Sequence, residues 1–166
     1  MISKDLEKAI NNQINNEFYA SYLYLSMSSY CDQQSLSGFA NWMRLQSQEE
    51  TAHAMRLFDF LSDCNNKVVL KGIKEPPVDF DSILDMSEQA LGHEEMVTKR
   101  INELYELALK ENAFAVQTHL QWFITEQVEE EKSAGDIVAK LRLIGNDIAS
   151  LLALDGELGG RVSEGE

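Results

Sequence analysis

Apolar side chains recur every three to four positions along four stretches of the chain, with polar side chains between them. This spacing places the apolar residues on one face of a helix, so it predicts four long amphipathic helices. Ser3 is a good N-cap residue, and the first helix is expected to run from there to about Cys31. The other three helices are expected over about 36–63, 83–110 and 113–143.

The segments between these helices predict how the helices are connected. Residues 32–35 form a short turn, so the first two helices should make an antiparallel hairpin. Residues 64–81 contain Gly72 and two adjacent prolines, and they have no helical pattern. So long a connection is uncommon inside one domain unless it crosses the length of the structure. The pattern therefore predicts an all-α four-helix bundle in which the second and third helices run parallel.

A shorter apolar pattern follows the bundle. Gly145 and Asn146 end the fourth helix, and residues 147–154 are expected to form a short fifth helix. The remaining residues, 155–166, are expected to form a mobile tail. At this length the chain is expected to form a single domain over 1–166, with the bundle at 4–143.

The balance of charge limits the classes of partner. The chain has 14 Lys and Arg against 28 Asp and Glu, and its net charge is −14 at pH 7. Binding to nucleic acid depends on clustered basic residues, so no nucleic-acid partner is expected. The chain opens on a polar helical pattern and has no long apolar run, so neither a signal peptide nor a membrane partner is expected.

The two cysteines bear on the expected compartment. Cys31 and Cys64 fall near the C-terminal ends of two antiparallel helices, so their thiols are expected at opposite ends of the bundle. Free thiols fit a reducing compartment, and a cytoplasmic location is therefore expected.

The second predicted helix carries a pattern typical of metal ligands. Glu50 and His53 are three positions apart, so one helical turn brings a carboxylate and an imidazole to the same face. Both lie on the apolar stripe of the helix, where an unpaired carboxylate is costly to bury. The commoner interpretation of this motif alone is a core histidine that simply forms hydrogen bonds.

Each of the four helices has a carboxylate on its apolar stripe, near mid-length. Because the midpoint of a helix is the same whichever way it runs, these carboxylates should share one layer of the bundle. Four buried carboxylates would repel one another strongly without cations, so the layer predicts a site for two metal ions. Oxygen ligands with a single imidazole favour iron or manganese over structural zinc. The predicted layer consists of Glu17, Glu50, His53, Glu94 and Glu130.

Four segments of the chain resemble the non-haem ferritins of prokaryotes. They are residues 16–22, residues 49–54, Glu94 on the third helix, and residues 121–131. The resemblance implies a ferritin-like bundle with a ferroxidase centre. In that centre Glu17, Glu50 and His53 hold one iron, while Glu50, as a bridge, holds the other with Glu94 and Glu130.

The resemblance also implies residues around the pair. Glu49, Glu126, Glu129 and Glu130 match the ligands of a third iron site; the alternative for the first three is an exposed acidic face. Gln127 matches a glutamine beside the centre that is expected to form hydrogen bonds more than to bind metal.

Tyr24 lies seven residues after Glu17, two turns along the same face. The resemblance implies that its ring donates an electron when oxygen is reduced; the alternative is a core tyrosine with a satisfied hydroxyl. Haem is not expected: bacterioferritins resemble this pattern but have E-x-x-H in the fourth helix, where this chain has Gln127 and Glu130, and a haem-binding methionine where it has Thr51.

The implied activity is oxidation of Fe(II) by O2 or H2O2, with storage of the Fe(III) product as mineral. The resemblance further implies a homo-oligomer, a hollow cage of about twenty-four subunits with the fifth helix at its four-fold contacts. Two other classes are alternatives: a soluble di-iron oxidase or peroxidase, which would share the bundle and the ligands but store no mineral, and a DNA-protecting mini-ferritin, which forms a smaller cage. The mini-ferritins place metal between subunits, which the four-helix ligand set argues against.

Overall fold

The computed structural model describes residues 2–162 and contains five α-helices in that range. The all-α bundle with a short additional helix is confirmed, and no strand occurs within the described residues. The helices are α1 Lys4–Gln33, α2 Ser37–Asp63, α3 Ile83–Lys110, α4 Phe114–Ile144 and α5 Ile148–Gly159.

The helix starts follow local side-chain chemistry. Ser3 Oγ accepts a hydrogen bond from the Leu6 amide at 3.1 Å, and Ser82 Oγ accepts one from the Asp85 amide at 3.0 Å. Each serine satisfies an N–H that the first turn of the helix leaves unpaired. At its C-terminal end, α4 stops at Gly145, whose φ of 57° is easily adopted only by glycine.

The long connection runs along the outside of α1, as the crossover prediction requires. Asn11 donates to the Lys67 carbonyl at 2.9 Å and accepts from the Val69 amide at 2.6 Å. Further along, Ser26 Oγ donates to the Pro77 carbonyl at 2.6 Å. These contacts satisfy backbone groups of a segment that has no secondary structure of its own.

Two apolar clusters fill the bundle, one towards each end. One contains Met27, Phe39, Met86 and Ile137, and the other contains Leu6, Ile10, Leu57, Ile101 and Phe123. A layer of buried polar and acidic side chains separates the two clusters. None of the helices described over 2–162 has an apolar stretch long enough to cross a membrane.

The fifth helix is longer than predicted. It continues to Gly159, so residues 155–159 of the expected mobile tail are helical, while residues 163–166 lie outside the described part of the chain. Leu154 and Leu158 are buried, and Asp155 Oδ1 accepts a hydrogen bond from the Phe39 amide at 2.9 Å. The glycine-rich sequence concealed a helix that packing against α2 stabilises.

Gly38 allows this packing. A Cβ atom at Gly38 would lie 1.7 Å from the Asp155 carbonyl oxygen, so α5 crosses α2 in direct backbone contact.

Replacing Gly38 should therefore separate α5 from α2. We expect Gly38→Ala to lower the free energy of unfolding by about 1–3 kcal/mol, the usual range for overpacking. Gly156→Ala on α5 is the matched control, because a Cβ there meets no atom within 4 Å. It should raise stability by about 0.5–1 kcal/mol through helix propensity. Thermal unfolding of both variants measures the difference, and equal effects would contradict the close crossing.

Candidate metal centre

The structure places the five predicted side chains in the layer between the apolar clusters. Each is at most 6% exposed. Ligand atoms of Glu17, Glu50 and His53 lie within 4.8 Å of one another, and so do those of His53, Glu126 and Glu130. Two groups of potential metal ligands therefore share one imidazole at the centre of the bundle.

His53 is oriented between two carboxylates. Its Nδ1 lies 3.6 Å from Glu50 Oε2, and its Nε2 lies 4.0 Å from Glu126 Oε1. Trp122 and Phe123 pack edge-on against the ring, with centroids 5.3 and 6.1 Å away. Burial lowers the pKa of His53 to about 4, so the imidazole is neutral near pH 7 and has a lone pair for a metal.

Burial also changes the titration of the carboxylates. It raises the pKa of Glu17 to about 7 and that of Glu130 to about 8. The pKa values of Glu50 and Glu94 are raised as well, first by burial; for Glu50 the neighbouring carboxylates add to the shift. The layer is costly to ionise without a cation to compensate it.

The hydrogen-bond donors in the layer are distributed unevenly. Gln13 Nε2 donates to Glu17 Oε1 at 2.8 Å, which leaves Glu17 Oε2 without a hydrogen-bond partner among the described residues. Gln46 Nε2 donates to Glu130 Oε2 at 2.7 Å. Neither oxygen of Glu50 has a hydrogen-bond partner within the described part of the chain. Buried oxygens without donors suit metal ions, and the two on Glu50 suit a bridging ligand.

Glu94 is held differently from the other glutamates. The hydroxyl of Tyr24 donates to Glu94 Oε1. Gln127 Nε2 lies 3.3 Å from both the carbonyl oxygen and Oε2 of Glu94, and 3.2 Å from Thr98 Oγ1. Gln127 thus contacts the layer as a hydrogen-bond donor, and Glu94 belongs to neither group of close ligand atoms.

Tyr24 lies fully buried at the edge of the layer. Burial, followed by the charges of Glu94 and Glu50, raises the pKa of its phenol well above the ordinary value of 10. The side chain is therefore a neutral phenol, which keeps its proton and donates a hydrogen bond to a candidate metal ligand.

The residues expected at a third iron site are only partly brought together. Glu126 lies beside His53 and Glu130, whereas Glu129 is exposed and lies in neither group. Glu49 is half-buried, and its Oε2 lies 2.6 Å from the guanidinium of Arg161.

Sequence reasoning missed two kinds of residue at this site. Gln13 and Gln46 stand on the apolar stripes one turn before Glu17 and Glu50, and an amide in that position is a detectable sign of a buried partner. Arg161 gives no comparable sign, because its contacts depend on the longer fifth helix.

The metal-free protein should lose stability as the pH rises. The unfolded glutamates titrate near their ordinary pKa of 4.5, whereas the folded pKa values of Glu17 and Glu130 are about 7 and about 8. Between these values the folded chain binds more protons than the unfolded chain, so stability falls with increasing pH. We expect the melting temperature, measured in chelator, to fall between pH 4.5 and about pH 8.

Two variants show whether the pH dependence of the melting temperature comes from the buried carboxylates or from the net charge of the chain. Glu17→Gln should make the fall shallower, whereas Glu103→Gln, which removes an exposed charge from α3, should not. Identical pH profiles for both variants would contradict the contribution of the layer.

Comparison with known proteins identifies the family. The sequence profile described as a ferritin-like domain matches residues 7–144. The chain is 36% identical over 166 residues to the bacterial non-heme ferritin of Staphylococcus aureus, with 100% of both chains covered. An open pore ferritin from the archaeon Archaeoglobus fulgidus superposes with a TM-score of 0.97 at 54% identity, covering 98% of this chain and 100% of that one. A humanized archaeal ferritin is 52% identical, with a TM-score of 0.97 and 98% of each chain covered. The chain therefore belongs to the ferritin family of iron-storage proteins, in its prokaryotic non-haem branch.

Proposed function

We propose that the buried layer is a ferroxidase centre for two iron ions. The observation that carries this proposal is the convergence of ligand atoms of Glu17, Glu50 and His53 within 4.8 Å, together with three carboxylate oxygens that no donor within residues 2–162 satisfies. Glu17, Glu50 and His53 would hold one Fe(II). Glu50 would also bind the second with Glu94 and Glu130.

The charges of the ligands match this substrate. Four ionised carboxylates and a neutral imidazole carry four negative charges, which two Fe(II) ions neutralise. Iron binding at neutral pH must therefore displace the protons that burial retains on Glu17 and Glu130. As a bridge, Glu50 would be a ligand that both ions share, which favours their oxidation as a pair.

The proposed reaction is redox-balanced. The two Fe(II) ions lose two electrons, which with two protons reduce O2 to H2O2, or reduce H2O2 to water. The Fe(III) pair then carries two positive charges more than its ligands neutralise. Hydroxide and oxide from water offset that excess, so the product tends to leave the centre as hydrolysed Fe(III) and to mineralise.

Assembly would provide the space for the mineral. We propose a cage of about twenty-four subunits, as in the family that the chain resembles. Ile148 and Leu152 support the proposal: they are 71% and 57% exposed on α5, on the side away from the buried Leu154 and Leu158. An exposed apolar surface on a helix end suits a subunit contact. A cytoplasmic location accords with the free thiols of Cys31 and Cys64.

Neighbouring glutamates on α3 allow a controlled test of the centre. Glu94→Gln should slow aerobic Fe(II) oxidation, followed by ferric absorbance, by about 100-fold, because a ligand matters at least as much as the groups that orient it. Glu95→Gln, on the exposed side of the same turn, should oxidise iron like the wild type. Equal rates for the two variants would refute the ligand assignment.

The same preparation distinguishes storage from an enzyme that stores no mineral. Wild-type protein should retain many irons per chain in a particle that gel filtration resolves as a large oligomer. Retention of only about two irons per chain in a small oligomer would instead favour a di-iron oxidase.

Tyr24 is proposed as an electron donor during reduction of the oxidant. Its hydrogen bond to Glu94 supports this role, because Glu94 is a proposed ligand of the second iron. We expect rapid-freeze electron paramagnetic resonance to detect a tyrosyl radical in the wild type during oxidation and to lose it in Tyr24→Phe. Tyr30→Phe is the matched control, since Tyr30 is buried in the same apolar cluster but packs on Phe80. A radical that survives in Tyr24→Phe would leave Tyr24 as a core residue only.

A further inference from the structure

The segment after α5 returns to the N-terminal half of α2, which leads up to Glu50 and His53. Asn41 Nδ2 donates to the Arg161 carbonyl at 3.1 Å, which fixes the backbone at this point. The guanidinium lies over the Trp42 ring, 4.8 Å from its centroid. The upstream contacts of Asp155 and Gly38 hold α5 against α2, and Arg161 follows two residues after the end of that helix.

The guanidinium group donates hydrogen bonds to two side chains in the next turns of α2. One terminal nitrogen donates to Gln46 Oε1 at 2.6 Å, and the other donates to Glu49 Oε2 at 2.6 Å. Only about a quarter of either charged side chain, Arg161 or Glu49, is exposed, at 26% and 27%. A planar fork held by an aromatic ring and two acceptors keeps its position better than a flexible surface ion pair.

Arg161 is also connected to the predicted ferroxidase centre through Gln46. Arginine can only donate, so the oxygen of the Gln46 amide faces Arg161 and the nitrogen faces Glu130. That nitrogen donates to Glu130 Oε2 at 2.7 Å. The cation thus contacts Glu49 directly and Glu130 through one amide, and both glutamates are among the residues expected at a third iron site.

We propose that Arg161 is a displaceable counter-ion of a third iron site at Glu49, and that iron binds there only when the guanidinium moves away. This inference rests on the proposed iron chemistry of the neighbouring centre. An iron ion and a guanidinium that share one carboxylate oxygen would repel each other, so the two cations compete for Glu49.

The exchange would couple the C-terminal segment to the passage of iron. With Arg161 in place, the charge of Glu49 is compensated and Gln46 holds one oxygen of Glu130. Displacement of Arg161 removes its hydrogen bonds to Gln46 Oε1 and Glu49 Oε2. Glu49 Oε2 can then bind an iron ion that leaves the two-iron centre. Return of Arg161 after the ion departs restores its ion pair with Glu49.

Calorimetric titration of the metal-free protein with Zn(II), which has no redox chemistry, tests the competition. We expect Arg161→Gln to tighten the weakest of three sites per chain by about tenfold, because a partly buried charged hydrogen bond no longer opposes binding. Lys140→Gln is the matched control: it removes an equal charge that pairs with Glu157 on α5, away from Glu49. Its third-site affinity should equal that of the wild type.

Glu49→Gln separates this inference from the proposed function. This variant should lose the third Zn(II) binding event while the two sites of the proposed ferroxidase centre still bind Zn(II). The double variant with Arg161→Gln should titrate like Glu49→Gln alone. If Glu49→Gln leaves the titration unaltered, no third site exists and the inference fails while the ferroxidase proposal stands. If wild-type protein binds no Zn(II) tightly, the ferroxidase proposal fails as well.

Trp42 gives a direct signal of the movement. In the wild type, filling the third site should change the tryptophan emission as Arg161 leaves the ring, and Arg161→Gln should lose that component. An unchanged or weaker third site in Arg161→Gln, with a lowered melting temperature, would show that Arg161 only clamps the C-terminal segment, and would overturn the inference.

Discussion

The constraint on which this structure depends is the burial of four carboxylates in one layer between two apolar clusters. Each cluster alone would make an ordinary bundle core, yet the layer places strongly disfavoured charge midway between them. Protonation relieves the penalty in the metal-free protein, and burial accordingly raises the pKa of Glu17 and Glu130 into the neutral range. Two cations would relieve it more completely, because they would also satisfy oxygens that have no donor among the residues the structure describes.

The surrounding residues satisfy some carboxylate oxygens of the layer and leave others without a donor among the described residues. Gln13 and Gln46 each satisfy one oxygen of a carboxylate, whereas Glu50 has no donor on either oxygen within the described residues. Tyr24 on α1 and Gln127 on α4 both donate hydrogen bonds to Glu94 on α3. A layer designed only for stability would pair every oxygen, so this uneven distribution is the structural feature that favours a metal centre over a polar core.

The bundle and its central layer were predictable because they follow from helical periodicity. Glu17, Glu50, Glu94 and Glu130 are in phase with the apolar stripes at mid-helix, so position along the chain determines position in the bundle. The extent of α5 and the contacts of Arg161 were not predictable, because they depend on a close backbone crossing rather than on propensity. The ligand assignment for the metal ions, and the third site, stay predictions.

Anomalous diffraction from crystals soaked anaerobically with Fe(II) tests the central claim most directly. The account predicts two iron peaks per chain inside the layer, both adjacent to Glu50, with Glu17 and His53 at one and Glu94 and Glu130 at the other. Iron only at the protein surface, or an empty layer at saturating Fe(II), would contradict it.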